Sequence, residues 1–232
     1  MFSEQTYRQR RADLVARFDT GLLLFLGNSE SPMNYADNCY PFRQDSSFLY
    51  YFGLDQPDLA AVIDVEDGAR FVFGEELTID HIVWMGDLPT VAERAERVGV
   101  TDTRPRSALA EVVGAAGRTG RPVRFLPPYR SDNAVELHEL LGVPVREAQE
   151  LASLELIRAV VAQRSVKTAE EVAELERAVE ISVAMHTAAI RMARPGMLES
   201  EIAAEVERLA VAAGGRLSFP VIATIHGETL HN

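Results

Sequence analysis

The stretch RSVKTAEEVAELERAVEISVAMHTAAIRMARPGMLESEIAAEVERLAVAAGGRLSFPVIATIHGETLHN (residues 164–232) decides the reading of the C-terminal part of the chain. Thr168 followed three residues later by Glu171 is a capping box, in which hydroxyl and carboxylate each satisfy an amide orphaned at a helix start. Val172, Leu175, Val179, Val183, His186 and Ile190 then recur at spacings of three and four, which puts them on one helical stripe until Arg194-Pro195-Gly196 stops the run. At about 1.5 Å per residue this helix is roughly 39 Å long. A second helix is expected from about Glu199, with Ile202, Val206, Leu209 and Ala213 on its inner face and Gly214-Gly215 as terminator. LSFPVIATI then reads as a strand. Burying five aliphatic side chains of the long helix is worth roughly 7 to 15 kcal/mol, comparable to the net stability of a domain. Two helices and one strand cannot cover such a stripe alone. Its cover is expected from a sheet in residues beyond Asn232, from a partner chain, or from the N-terminal part of the protein.

Working back from Arg164, the chain changes character. Tyr7, Leu14 and Phe18 fall near one helical face in an Arg-rich opening, and GLLLFLG after Asp19 has the length and flanking glycines of a buried strand. Apolar segments recur at LAAVID, ARFVFG and PVRFLP, separated by turns or helical patterns in DVEDG, AERAERVGV and SALAEVVGAAGRTG. The pattern is α/β with a mixed sheet. A helix rich in Leu, Ile and Val is expected over residues 147–163 and runs into the basic turn RSVK, where the domain junction falls. This divides the chain into domains 1–163 and 164–232.

Composition narrows the partners. Acidic residues exceed basic ones by 35 − 23 = 12, so the mean field repels phosphate backbones and anionic lipid, and no nucleic acid or membrane partner is expected. No apolar run approaches the roughly 18 to 20 residues of a bilayer span, and MFSEQTYRQRRADLVARF lacks the apolar core of a secretory signal, so the default address is cytoplasmic. Cys39 is the single cysteine, which rules out an intrachain disulfide or a cysteine-based zinc site. It sits in NYADNCYPF near Asp37 with no His beside it, the setting of a packed thiol rather than an activated one.

No phosphate loop, dinucleotide fingerprint, serine elbow or HExxH helix occurs. His186 belongs to the apolar stripe as a hydrogen-bonded core residue, and His138 in AVELHELLG reads as a helix-surface residue. His226 and His231 differ, because IHGETLHN sets two imidazoles after a strand, beside a Gly turn and the Glu228 carboxylate. Such groups shuttle protons or bind metals near neutrality, although a solvated turn explains the same spacing.

These segments together resemble the Xaa-Pro aminopeptidases, or aminopeptidase P, within the creatinase and prolidase group. In the first half the resemblance rests on RRADLVARF and on PFRQDSSFLYYFGLDQPDLAAVID (residues 41–64). In the second half it rests on the long helix with its cap, the short helix, FPVI and GETLHN, in the family's order. The resemblance implies a creatinase-type N-terminal domain, a mixed β-sheet flanked by helices, over 1–163. The first two helices and strand of a pita-bread catalytic domain follow over 164–232, truncated before the metal ligands.

The implied activity is removal of the first residue from peptides with proline second, by a hydroxide bridging two divalent metals, usually manganese. The implied ligands lie downstream of His231, so none is expected in these residues and the chain alone is expected to be inactive. His231 is similar to the family His that sits beside the metals and assists substrate binding and proton transfer. Trp84 in HIVWMGD resembles the aromatic lent to a neighbouring subunit's substrate pocket, which makes a homodimer or homotetramer the expected assembly; core packing accounts for Trp84 equally well. Arg43 and Asp45 of the RQDS segment are expected to form an ion pair or cap. The competing readings are a creatinase-like, metal-free amidinohydrolase and a non-enzymatic peptide- or histone-binding module.

Overall fold

Five strands carry the N-terminal part of the computed structural model, which describes residues 1–229. They are β1 (Leu22–Leu26), β2 (Ala60–Asp64), β3 (Arg70–Phe73), β4 (Asp102–Arg104) and β5 (Val123–Phe125), in the order β4-β3-β2-β1-β5. β1 pairs antiparallel with β2 and β2 with β3, while β1–β5 and β3–β4 are parallel, so the sheet is mixed as expected. β1 is nearly all aliphatic because both its faces are covered. Side chains alternate across a strand, so Leu23 and Phe25 point to one layer and Leu22 and Leu24 to the other.

The first layer contains α1 (Glu4–Val15), α2 (Ser46–Phe52), α4 (Val91–Glu96) and α7 (Leu154–Ser165). Their Tyr7, Leu14, Phe48, Tyr51, Phe52, Val91 and Leu156 pack with Leu23, Phe25, Ala61, Ile63 and Val72 of the sheet. The second layer contains α5 (Leu109–Arg118) and α6 (Ser131–Leu141), whose Leu109, Val113, Ala134 and Leu137 pack with Leu22, Leu24, Val62 and Phe73. Outside both clusters lies α3 (Ile79–Met85), none of whose residues is buried.

Arg11 of α1 is a fully buried cation. Its guanidinium donates to the carbonyls of Tyr51 at 2.7 Å, Val98 at 2.5 Å and Gly99 at 3.3 Å, and so joins α1 to the last turn of α2 and to the chain following α4. Burial, then the neighbouring Arg70 and Arg8, pushes it down to about 9. α7 begins later than the sequence suggests. Residues 145–147 form a short 3-10 turn, and helix starts only at Leu154. The cause is Ser153, which is held against β5 in extended conformation: its amide donates to Phe125 O at 3.0 Å, and its Oγ accepts from Phe125 N at 3.1 Å.

The chain divides into two compact units, Met1–Val166 and Lys167 onward. In the second, α8 (Ala169–Met192) starts at the Thr168 capping box and α9 (Glu199–Ala212) follows. Two expectations are corrected here. His186 is exposed and is not a core residue of these elements; the rest of its stripe, Val172, Leu175, Val179, Val183 and Ile190, is likewise exposed, the face that two helices cannot cover alone. The face of α8 turned toward α9 presents Ala178, Ile181, Ser182 and Met185, with His186 at its margin, and these line a cavity with Val206 and Ala210. Residues 217–225 carry no strand, because a strand exists only as a hydrogen-bonded pair and this unit offers no partner strand among the described residues.

Candidate functional site

The RQDS segment sits where β1 ends and α2 begins, and its side chains brace the backbone there. Gln44 is buried. Its Oε1 accepts from the amides of Asn28 at 2.7 Å and Asp45 at 2.8 Å, and its Nε2 donates to Gln56 O at 2.6 Å. Asp45 caps α2, its Oδ1 accepting from the Ser47 and Phe48 amides at 2.8 Å each, which is the cap the sequence suggests. Arg43 donates to Gln44 O and to Ser46 Oγ and forms no ion pair among the described residues.

Trp84 lies on α3 and is 87% exposed, with Ile79, Val83 and Met85 exposed beside it. The core-packing reading of Trp84 therefore does not hold within this chain. α3 is fixed at its start by Thr78 and His81, which cap each other, so His81 serves the backbone. Four exposed apolar side chains on one short helix form a contiguous apolar patch.

At the far end of the chain His226 and Glu228 meet, Nδ1 to Oε1 at 3.3 Å, and both are exposed. The turn is closed by Thr229 N donating to His226 O at 2.8 Å and anchored by Ile225 N donating to Glu199 Oε1 at 2.6 Å. His231 lies outside the described residues. His138 contacts the Val143 carbonyl through Nδ1 at 3.1 Å, near the end of α6. The Cys39 thiol is pushed up, first by desolvation and then by Glu30 and Asp37, so it is held away from the reactive thiolate.

A third feature is not signalled by the sequence. A cavity under α6, at the carboxyl ends of β1 and β5, is lined by Asp45, Tyr129 and Asn133 among apolar side chains. The run Ser131-Asp132-Asn133 announces a helix start, but nothing in it marks Asn133 as facing a cavity.

Among the described residues no group of three or more His, Cys, Asp or Glu is placed to hold a metal ion. The described residues therefore do not fit a dimetal centre, and no reaction step is assigned to a metal held by them.

Comparison with known proteins agrees with this architecture. Residues 7–122, half of the chain, match the profile of the aminopeptidase P N-terminal domain, and residues 173–232 match that of metallopeptidase family M24. The two matches place a mixed-sheet N-terminal domain ahead of the start of an M24-family part. The Xaa-Pro aminopeptidase of Escherichia coli (strain K12) is 26% identical over 235 residues, covering 97% of this chain and 53% of the relative. A probable Xaa-Pro aminopeptidase of Metarhizium acridum is 29% identical over 217 residues, covering 92% and 42%. The low-pH form of E. coli aminopeptidase P superposes with a TM-score of 0.75 at 25% identity, covering 92% of this chain and 50% of that one. This chain belongs to the aminopeptidase P family. It spans about half the length of the curated relatives it matches.

Proposed function

We propose that these residues are the N-terminal domain (1–163) and the opening of the catalytic domain (164–232) of a Xaa-Pro aminopeptidase. The protein removes the first residue from peptides with proline second. The observation that carries this reading is that both family profiles match, in the relatives' order, with one fold spanning 92% of the chain. On this reading two divalent metals, manganese in the first instance, are held by carboxylates and an imidazole C-terminal to the described residues, and the 232 residues alone do not hydrolyse peptides. A solved relative that is zinc-substituted and in complex with product supports divalent-metal chemistry for the whole protein. Among the described residues no helix is long and apolar enough to cross a membrane; the location proposed is the cytoplasm.

His231 is proposed to stand beside the metals and to assist substrate binding and proton transfer. Trp84 is proposed to enter the substrate pocket of a neighbouring subunit of a homodimer or homotetramer. Its support is the exposed apolar face of α3, a helix in which no residue is buried.

Release of the first residue from a Xaa-Pro peptide with added manganese tests the reading, on this chain and on a version continued to the length of its relatives. The longer protein should be active and the shorter one inactive; an inactive longer protein overturns the assignment. In the longer protein, His231→Ala should lower kcat by about 10²- to 10⁴-fold, the span of a lost proton-transfer group. Trp84→Ala should raise KM and weaken assembly in sedimentation.

A further inference from the structure

The cavity under α6 adjoins the RQDS brace, which supplies Asp45 to its lining, and its chemistry is independent of the peptidase reading. Its walls are Leu24 and Leu26 of β1 and Phe125 of β5, with Asp45, Tyr129 and Asn133 as polar groups. Asn133, the third residue of α6, is 8% exposed, and its side-chain amide has no hydrogen-bond partner among the described residues. The amide lines the cavity, so it is available to pair with a group that enters it.

The other two polar groups define that complement. Asp45 uses Oδ1 for the α2 amides, which leaves Oδ2 as an acceptor. The Tyr129 hydroxyl accepts from Asn28 Nδ2 at 2.8 Å, which leaves its proton to donate. The walls therefore offer one anionic acceptor, one hydroxyl donor and an amide that both gives and accepts. A carboxylate would face the Asp45 charge, and an ammonium would leave Tyr129 and the Asn133 NH₂ unmet. A carboxamide satisfies all three. Size agrees: the cavity has room for roughly three water-sized groups, the span of a carboxamide with its adjoining carbon. The position also agrees, since ligands of α/β sheets gather outside the carboxyl ends of parallel strands, here β1 and β5.

We infer that this cavity binds a carboxamide, supplied by an asparagine or glutamine side chain of a peptide or by a small free amide. The test titrates the 232-residue chain with propionamide, propionate and propylamine, and with blocked tripeptides centred on Gln or Glu, following the Asn133 side-chain NH₂ by NMR. Propionamide should shift that signal saturably, with a Kd at least about tenfold below those of the two charged analogues, the scale of one unmet hydrogen bond. Binding of the Gln tripeptide but not the Glu one identifies a peptide side chain as the source, whereas binding of propionamide alone identifies a free amide. No saturable response to either amide leaves only ordered water in the cavity and overturns the proposal, as does an equal response to all three small probes. Asn133→Leu should abolish the response read on the Leu24 and Leu26 methyls. Should that variant not fold, the near-isosteric Asn133→Asp should move the preference from propionamide to propylamine, and an unchanged preference overturns the proposal.

Discussion

Gly53 and Gly142 form a matched pair from which the energy of one contact can be read. Each ends a helix in the left-handed region, Gly53 at φ +63 and Gly142 at φ +70, and each amide closes the last turn, onto Leu49 O at 2.9 Å and His138 O at 2.8 Å. They differ in what a methyl group would meet. At Gly142 nothing lies within 4 Å, whereas at Gly53 a Cβ would stand 2.3 Å from Cζ and 2.5 Å from Oη of Tyr7. Tyr7 is buried, with its hydroxyl accepting from Phe2 N at 3.3 Å, so its ring has little room to yield. Gly142→Ala should cost about 1–2 kcal/mol, the left-handed penalty of an L-residue. Gly53→Ala should cost about 2–5 kcal/mol, because overpacking adds about 1–3. Urea unfolding followed by near-UV circular dichroism measures both, since all six tyrosines and the single tryptophan lie in the first unit. In a Tyr7→Ala background the cost of Gly53→Ala should fall to that of Gly142→Ala. Equal costs in the unmodified background would refute the steric reasoning.

Two further outcomes follow from charge and capping. Glu66 is lowered to about 2, first by Arg121 and then by Thr20. A depressed acid adds stability above its unfolded value near 4.5 and loses it as pH falls toward 2. Arg121→Met should return the carboxyl toward 4.5 in a carbon-detected NMR titration, and an unmoved titration contradicts the pairing. Thr168→Ala should cost α8 about 1 kcal/mol, seen as faster amide exchange at Glu171, while Thr168→Ser should restore protection.

The elements legible in the sequence are those whose signals are local. The α8 capping box and the apolar runs of β1, β2 and β5 are set by neighbouring residues. β4 escaped notice because Asp102–Arg104 is a polar edge strand, positioned by Phe71 to Phe73 of β3 rather than by its own pattern. The start of α7 depends on Phe125, far away in sequence, and so could not be read from residues 147–163. Periodicity located the α8 stripe but could not say that a neighbouring face meets α9, because a helix of this composition has apolar residues on more than one side. Of the candidate site residues, Trp84 in HIVWMGD is reached only through its resemblance to a family aromatic. Asn133 gave no signal, since its environment is assembled from β1, β5 and the start of α2.

The anchoring of α7 has a consequence for biosynthesis. Gln163 donates to Arg10 O at 2.9 Å and accepts from the Tyr51 hydroxyl at 3.0 Å, so the layer begun by α1 is closed by a residue 153 positions later. At about 5–20 residues per second, roughly 8–30 s separate the ribosome's delivery of these two partners. During that interval the core positions that Leu156, Ala159 and Val160 of α7 fill in the cluster of Leu14 and Phe52 stay open, and the emerging N-terminal half exposes apolar surface.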